Sequence, residues 1–340
     1  MHSGHGALLF APSVLLLIVA GCSSDSREPG PAAESSSGWR TVYSSDDWWM
    51  NVYAPASNDR WIVGGTPDEG KIVHYDGTDF AVIDHGTDVE LLNWIHGFES
   101  GELITVGNGG AVVRGDGATW AQVSVPTSQD LWGVWGATPA DIWVVGGDPE
   151  PGGVPVVLRD TGGGFEAVTI PSLERPRVRA FFKVWGSRPD DVYIVGQNGA
   201  VLHWDGESLL ELNVGVGKDL ITVWGTGPDR VAVIGGRTNG AGALWDGARW
   251  SVLDLARFPG MNGVWLRGDT VHVVGNNGTG GVISFATGEV TRVAIDTPIY
   301  LHAINGSPDG TLTAVGGNYF AGEKGPFSGE ILVRTLESWE

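Results

Sequence analysis

One phrase recurs along this chain at intervals of about 40 residues, and that period limits the fold more than any other property. The clearest copy is VWGATPADIWVVGG (134–147), repeated as VWGSRPDDVYIVGQ (184–197) and VWGTGPDRVAVIGG (223–236). Looser copies follow at 264–276 and 304–317, and two more precede it at 52–65 and 95–108. The position after the leading Val or Ile is Tyr53, His96, Trp135, Trp185, Trp224, Trp265 and Asn305, spaced by 43, 39, 50, 39, 41 and 40 residues. A glycine closes the second apolar run of every copy: Gly64, Gly107, Gly146, Gly196, Gly235, Gly275 and Gly316.

Each copy continues alike. A third apolar run ends in a polar turn, as in IVHYDG (72–77), VVRGDG (112–117), VLHWDG (201–206) and ALWDG (243–247). A fourth run opens at Phe80, Trp120, Leu209 or Trp250. Four short β-branched strands, A to D, between Gly, Asp and Asn turns form a propeller blade. No window carries a useful 3.6-residue period, which excludes a helical solenoid. The expectation is an all-β, seven-bladed propeller over 39–340. GEILVRTLESW (329–339) ends as strand D of the last blade would begin, with Trp339 in the column of Trp120 and Trp250. Trp39 to Val42 reads as a strand D with no strands before it, so residues 39–43 are expected to complete blade 7 and remove its open edge.

The repeat VWG-x-x-P-x-D-(V/I)-(W/Y)-x-V-G, then G-x-(V/L)-x-(H/R)-x-D-G-x-x-W, resembles the Trp-rich propeller repeats of bacterial surface lipoproteins. These group loosely with sialidase-type (BNR) and photosystem-assembly propellers. The resemblance implies a fold and little about activity, because propellers host unrelated functions. The sialidase Asp-box is not matched: Asp116 to Trp120 is one residue short of its spacing. Asp76, Asp116, Asp205 and Asp246 are therefore read as turn residues that accept from nearby backbone N–H groups.

Residues 7–20, ALLFAPSVLLLIVA, are too few to span a bilayer as a helix and suit a signal peptide over 1–21. Val19-Ala20-Gly21-Cys22 resembles a lipobox, although residues 1–6 hold no Lys or Arg. The resemblance implies acyl chains, palmitate among them, on the one cysteine of the sequence, Cys22, and a membrane anchor. Ser23 after it resembles the outer-membrane pattern. Residues 23–38, rich in Ser, Pro, Ala and Glu, make a flexible linker with Cys22 at its head. The expected location is the cell envelope.

Composition narrows the partners. A net charge of −20 disfavours nucleic acid, which needs clustered Lys and Arg. A single cysteine leaves no internal disulfide and no CxxC site. There is no G-x-S-x-G elbow, H-E-x-x-H, P-loop or EF-hand loop, so neither a catalytic set nor a cofactor is expected. His74 and His203 share one repeat column and are read as blade-surface side chains. His96 and His302 both lie on innermost strands and are the one pair placed to converge near the axis as a metal site, and no third ligand accompanies them. The repeated tryptophans are expected to fill the interfaces between blades.

Binding is expected on the face carrying the D–A and B–C loops, because those loops vary between copies while the A–B turns do not. That face offers Trp48, Tyr300, Tyr319 and Phe320. It also offers Arg175, Arg177 and Arg179, which would point one way as an anion clamp if the segment were extended. The reading is a non-catalytic, envelope-anchored binding or scaffold protein for a protein or glycan ligand. The alternatives are a carbohydrate-active enzyme, needing two carboxylates in the central cleft, and a lectin-like module with exposed aromatics.

Overall fold

The computed structural model describes residues 37–322 and 324–336. The signal segment, Cys22, all but the last two residues of the linker, and Trp339 lie outside the described residues. Among the described residues there are seven antiparallel sheets of four strands, each in the order A-B-C-D. The innermost strands are Trp48–Ala56, Leu92–Gly97, Leu131–Thr138, Phe181–Arg188, Leu220–Gly227, Met261–Arg267 and Tyr300–Gly306. Each packs beside its counterparts in the blades before and after, and blade 7 returns to blade 1. The chain is a seven-bladed β-propeller, as the repeats require.

Burial falls from the axis outward and explains the composition of each strand. Strand B of blade 4, Asp191–Gly196, is buried at every position, and so is Leu103–Gly107 in blade 2. Neighbouring blades cover both of its faces, so successive residues are apolar rather than alternate ones. Strand D lies at the rim, where Trp120–Gln122 and Trp250–Val252 keep only their first residue half-buried.

Closure runs as expected, displaced by a residue or two. Arg40–Ser45 is strand D of blade 7, pairing Arg40 with Val333 and Ser45 with Gly329. Trp39 precedes the strand and is buried among Trp265, Leu301 and Leu332.

Two glycine columns set the spacing of the ring. At the closing glycine of strand B, strand A carries a bulge in all seven blades, for example between Leu131 and Gly133 opposite Gly146 and Val145. Beside the bulge, a carbonyl at the entry to strand A lies against strand B. A Cβ at Gly146 would run into the Asp130 carbonyl, and one at Gly64 into that of Trp48. The second column is the Gly of VWG. A Cβ at Gly186 would strike the ring of Trp135, one at Gly225 the ring of Trp185, and one at Gly306 the ring of Trp265. Five blades thus lend an aromatic to the next blade's glycine, and blade 7, with Asn305 in the aromatic's place, faces Ala54 in blade 1. Blade 6 carries Leu266 in that place, and Trp224, which would pack there, stays half-exposed.

The remaining repeated residues also pair. Asp59 accepts from His74 Nε2 at 2.8 Å, and the imidazole stacks on Trp61 at 3.9 Å. Asp191, His203 and Tyr193 repeat this in blade 4. In blade 3 Arg159 replaces the imidazole, with Nε 2.8 Å from Asp141 and its guanidinium 4.6 Å above Trp143. Burial works to raise the Asp191 carboxyl, but bonds from His203 and Ser187 override it and hold it below the usual range. The column read as blade-surface histidines is a brace across strands B and C in which an Asp bonds an imidazole or guanidinium that lies over an aromatic ring. The Asp of each DG turn accepts from two backbone N–H groups, as at Asp116 from Ala118 (3.0 Å) and Thr119 (2.7 Å).

Candidate ligand-binding funnel

The strand A bulges have a second consequence. The extra residue at each bulge is Met50, Asn93, Trp132, Phe182, Ile221, Asn262 or His302. All except Asn93 line one cavity of about 470 Å3 on the D–A/B–C face. This size lies within the range of small-ligand sites. Asn93 is buried and bridges blades instead, donating to Asn108 Oδ1 (2.8 Å) and the Leu131 carbonyl (3.0 Å).

Trp48, Tyr300, Tyr319 and Phe320 all line this funnel. They are brought together by the 316–330 insertion, which folds across blade 1. Trp48 Nε1 donates to Asn318 Oδ1 (2.9 Å), and Tyr319 OH to the Trp49 carbonyl (2.7 Å). Trp48 is buried edge-on against Tyr319 and Phe327 at 5.5 and 5.0 Å. It is a wall of the funnel, not a free stacking platform. Phe320 is 79% exposed at the lip and leans edge-on against Tyr300.

The three arginines do not join them. The segment is not extended, because Arg177 has φ +60° in a turn that follows Pro176. The Arg175 guanidinium is spent on the Val216 and Asn198 carbonyls (2.6 and 3.2 Å) and on Asn213 Oδ1 (3.0 Å), tying the loop down. Arg177 is exposed, and none of the three lines the funnel. The arginine at the rim is Arg237, held by Asp219 at 2.9 Å with its guanidinium 5.1 Å from Phe182.

His96 and His302 do not converge either. His302, a bulge residue, lines the funnel and donates through Nδ1 to the Met50 carbonyl (2.6 Å). His96 lies further down strand A and lines a separate cavity of about 250 Å3 at the other end of the axis, donating to the Gly136 carbonyl (3.0 Å). Burial lowers both imidazoles, His96 to about 4 and His302 to about 3, the latter also through Lys183. Among the described residues no three His, Cys, Asp or Glu side chains stand close enough to share a metal ion.

The residue that sequence reasoning missed is Lys183. It stands one step below the bulge in blade 4, buried, in a layer completed by Asn51, Trp94, Gly133, Thr222, Gly263 and Ala303. Its Nζ donates to the Trp132 carbonyl (2.7 Å) and lies 4.2 Å from the centroid of Trp94. Lys183 lines the funnel and Trp94 the opposite cavity, so the touching pair divides the axial channel. Burial lowers the Lys183 amine to about 7. The funnel lining holds Lys183 and Arg237 and neither Asp nor Glu, in a chain with 40 of them.

No family model matches the sequence, and no curated protein matches it. Solved structures do. A YCF48 propeller bound to D1 peptide superposes with a TM-score of 0.63 at 16% identity, over 91% of this chain and 99% of that one. YCF48 from Cyanidioschyzon merolae gives 0.64 at 13% identity, over 88% and 100%. The WD40 propeller domain of Doa1 gives 0.65 at 10%, over 89% and 99%. At these identities the likeness establishes the propeller fold alone.

Proposed function

We propose that this chain is a non-catalytic binding protein of the cell envelope, tethered through acylated Cys22, that holds a segment of a protein partner in the funnel. The observation that carries the reading is the funnel itself: apolar and aromatic walls, Lys183 at its floor, Arg237 paired with Asp219 at its rim, and no carboxylate in its lining, on a scaffold of negative net charge. Such a site attracts a partner segment that is apolar and negatively charged. A YCF48 propeller of similar shape was solved with a peptide bound, which supports a peptide as the kind of ligand. The hydrolase alternative needs two carboxylates in the cleft, and the funnel lining has none. The lectin alternative needs repeated exposed aromatics, whereas Phe320 is the one strongly exposed aromatic among the described residues.

Site-specific photo-crosslinking in the producing cell tests the reading. A benzophenone side chain replacing Phe320 at the funnel lip is expected to capture a discrete protein adduct. The same group replacing Val82, exposed on outer strand D of blade 1, is expected to capture none. Equal capture at both positions, or none at Phe320, overturns the binding-face assignment. Metabolic labelling with a palmitate analogue tests the anchor: label on the natural chain and none on Cys22→Ser is expected. An unlabelled natural chain overturns the anchor.

A further inference from the structure

Among the described residues Lys183 has no counter-ion. Two of the four lysines show the contrast: Lys71 is paired with Asp47 at 2.8 Å, whereas among the described residues no carboxylate pairs with Lys183. Its interactions are a neutral carbonyl and an indole face. An ammonium has three N–H donors, and one is used. A buried cation without an anion is costly, and a strand position in a blade interior does not call for one. In the same layer of the ring, Gly133, Thr222, Gly263 and Ala303 serve the fold with small side chains. The site is also cleared of competing anions, since no Asp or Glu lines the funnel above.

The walls say what should accompany the anion. Trp132, Phe182, Ile221 and Met50 supply apolar surface directly above Lys183. Asn108 and Asn276 line the funnel on opposite sides, each accepting through Oδ1 from a bulge asparagine, Asn93 (2.8 Å) and Asn262 (3.0 Å). Amide groups around an apolar wall suit a polypeptide backbone better than an alkyl chain. The floor is closed by Lys183 and Trp94, so a ligand must end there or turn back. A cavity of about 470 Å3 suits one chain end and is cramped for the two strands of a loop.

We propose that the funnel receives the C-terminal end of a polypeptide, its α-carboxylate pairing with Lys183 and its last side chains packing on Trp132, Phe182 and Ile221. This rests on the reading of the funnel as a peptide-binding site. The depressed amine of Lys183 fits it, because an incoming carboxylate restores the charged form.

The test is affinity selection on the intact protein with three pentapeptide mixtures. One is acetylated with a free C-terminal acid, the second is the same mixture as amides, and the third is amides with glutamate fixed at the centre. The expected result is retention of the acid mixture at least about tenfold above both amide mixtures, the scale of one charge-assisted hydrogen bond. Lys183→Met, checked for its fold by circular dichroism, should erase that preference. Equal retention of acid and amide mixtures by the natural protein overturns the proposal and leaves the peptide-binding reading standing. Equal retention of the glutamate mixture assigns the carboxylate to a side chain and also overturns it. Retention of no mixture, with the Phe320 adduct still formed, overturns the proposal alone. Loss of that adduct as well removes both.

Discussion

The two ends of the axial channel are built from the same seven strands, and they differ in how strictly the strands repeat. At the A–B end the ring is Tyr53, His96, Trp135, Trp185, Trp224, Trp265 and Asn305, with four tryptophans in seven places. At the opposite end the bulge ring is Met50, Asn93, Trp132, Phe182, Ile221, Asn262 and His302, with one residue type used twice. Five residues of the first ring fill the glycine notch of the next blade or bond its backbone, as Tyr53, Trp135, Trp185, Trp265 and His96 do. The second ring, Asn93 excepted, lines open volume. Repetition marks where packing dictates the residue. Variation within an otherwise strict strand marks where packing leaves the choice to something else.

The sharpest way to break this contrast is to fill a notch. Gly186→Leu forces a side chain into the ring of Trp135, and overpacking of this kind should cost about 3 kcal/mol or prevent folding. Ile221→Ala in the variable ring is half-exposed and should cost no more than about 1 kcal/mol. Urea unfolding curves compare the two. Similar losses would mean that both rings are structural.

Acid probes both ends at once. His96 and His302 have folded pKa values near 4 and 3, below the ordinary 6.5. Between those limits the unfolded chain binds more protons, so stability is full above about pH 6.5 and falls as the pH drops toward 4. His96→Asn and His302→Met borrow the residues of blades 7 and 1 at the same places. Each should recover about 2 kcal/mol of the acid loss, read as a flatter Tm against pH. A change at only one of them would confine the buried imidazole to that end.

Lys183→Met should act oppositely to an ordinary core substitution. The folded amine titrates near 7 and the unfolded one near 10.5, so the natural protein carries its full penalty below pH 7 and loses it as the pH rises toward 10.5. The variant should gain about 2 kcal/mol at pH 6 and progressively less toward pH 10, within the range seen when buried charges become apolar. A destabilised variant at pH 6 would make Lys183 a structural residue.

The smallest effects separate two neighbouring arginines. Arg175→Ala removes three hydrogen bonds and should cost about 1 kcal/mol. Arg177→Ala should change stability by under about 0.5 kcal/mol and leave the Phe320 adduct intact. Loss of the adduct with Arg177→Ala would extend the binding surface beyond the funnel.

The fold was legible because seven copies impose the same demand at the same place. The closing glycines, the VWG phrase and the DG turns each answer one steric or hydrogen-bonding need, and needs repeated seven times become visible as columns. Trp48, Tyr300, Tyr319 and Phe320 were reachable by noting what falls outside those columns. Lys183 was hidden because FFKVWG (181–186) reads as one apolar strand with a single interruption. The bulge that sets Phe182 and Lys183 in different layers leaves no mark in a single copy. The missed signal was a pair of adjacent columns without consensus, two and three places before Trp135, lodged between columns that have one. Arg175 to Arg179 misled for a local reason: alternate positions share a direction only in an extended segment, and the left-handed backbone at Arg177 breaks it.

The closing strand also governs when the ring can exist at all. Arg40 pairs with Val333, so the first described strand has its partner in the last. Without Gly329–Thr335 in place, Arg40–Ser45 has no strand of its own sheet to pair with. A latch joining the two ends of the sequence makes folding a long-range and therefore slow event.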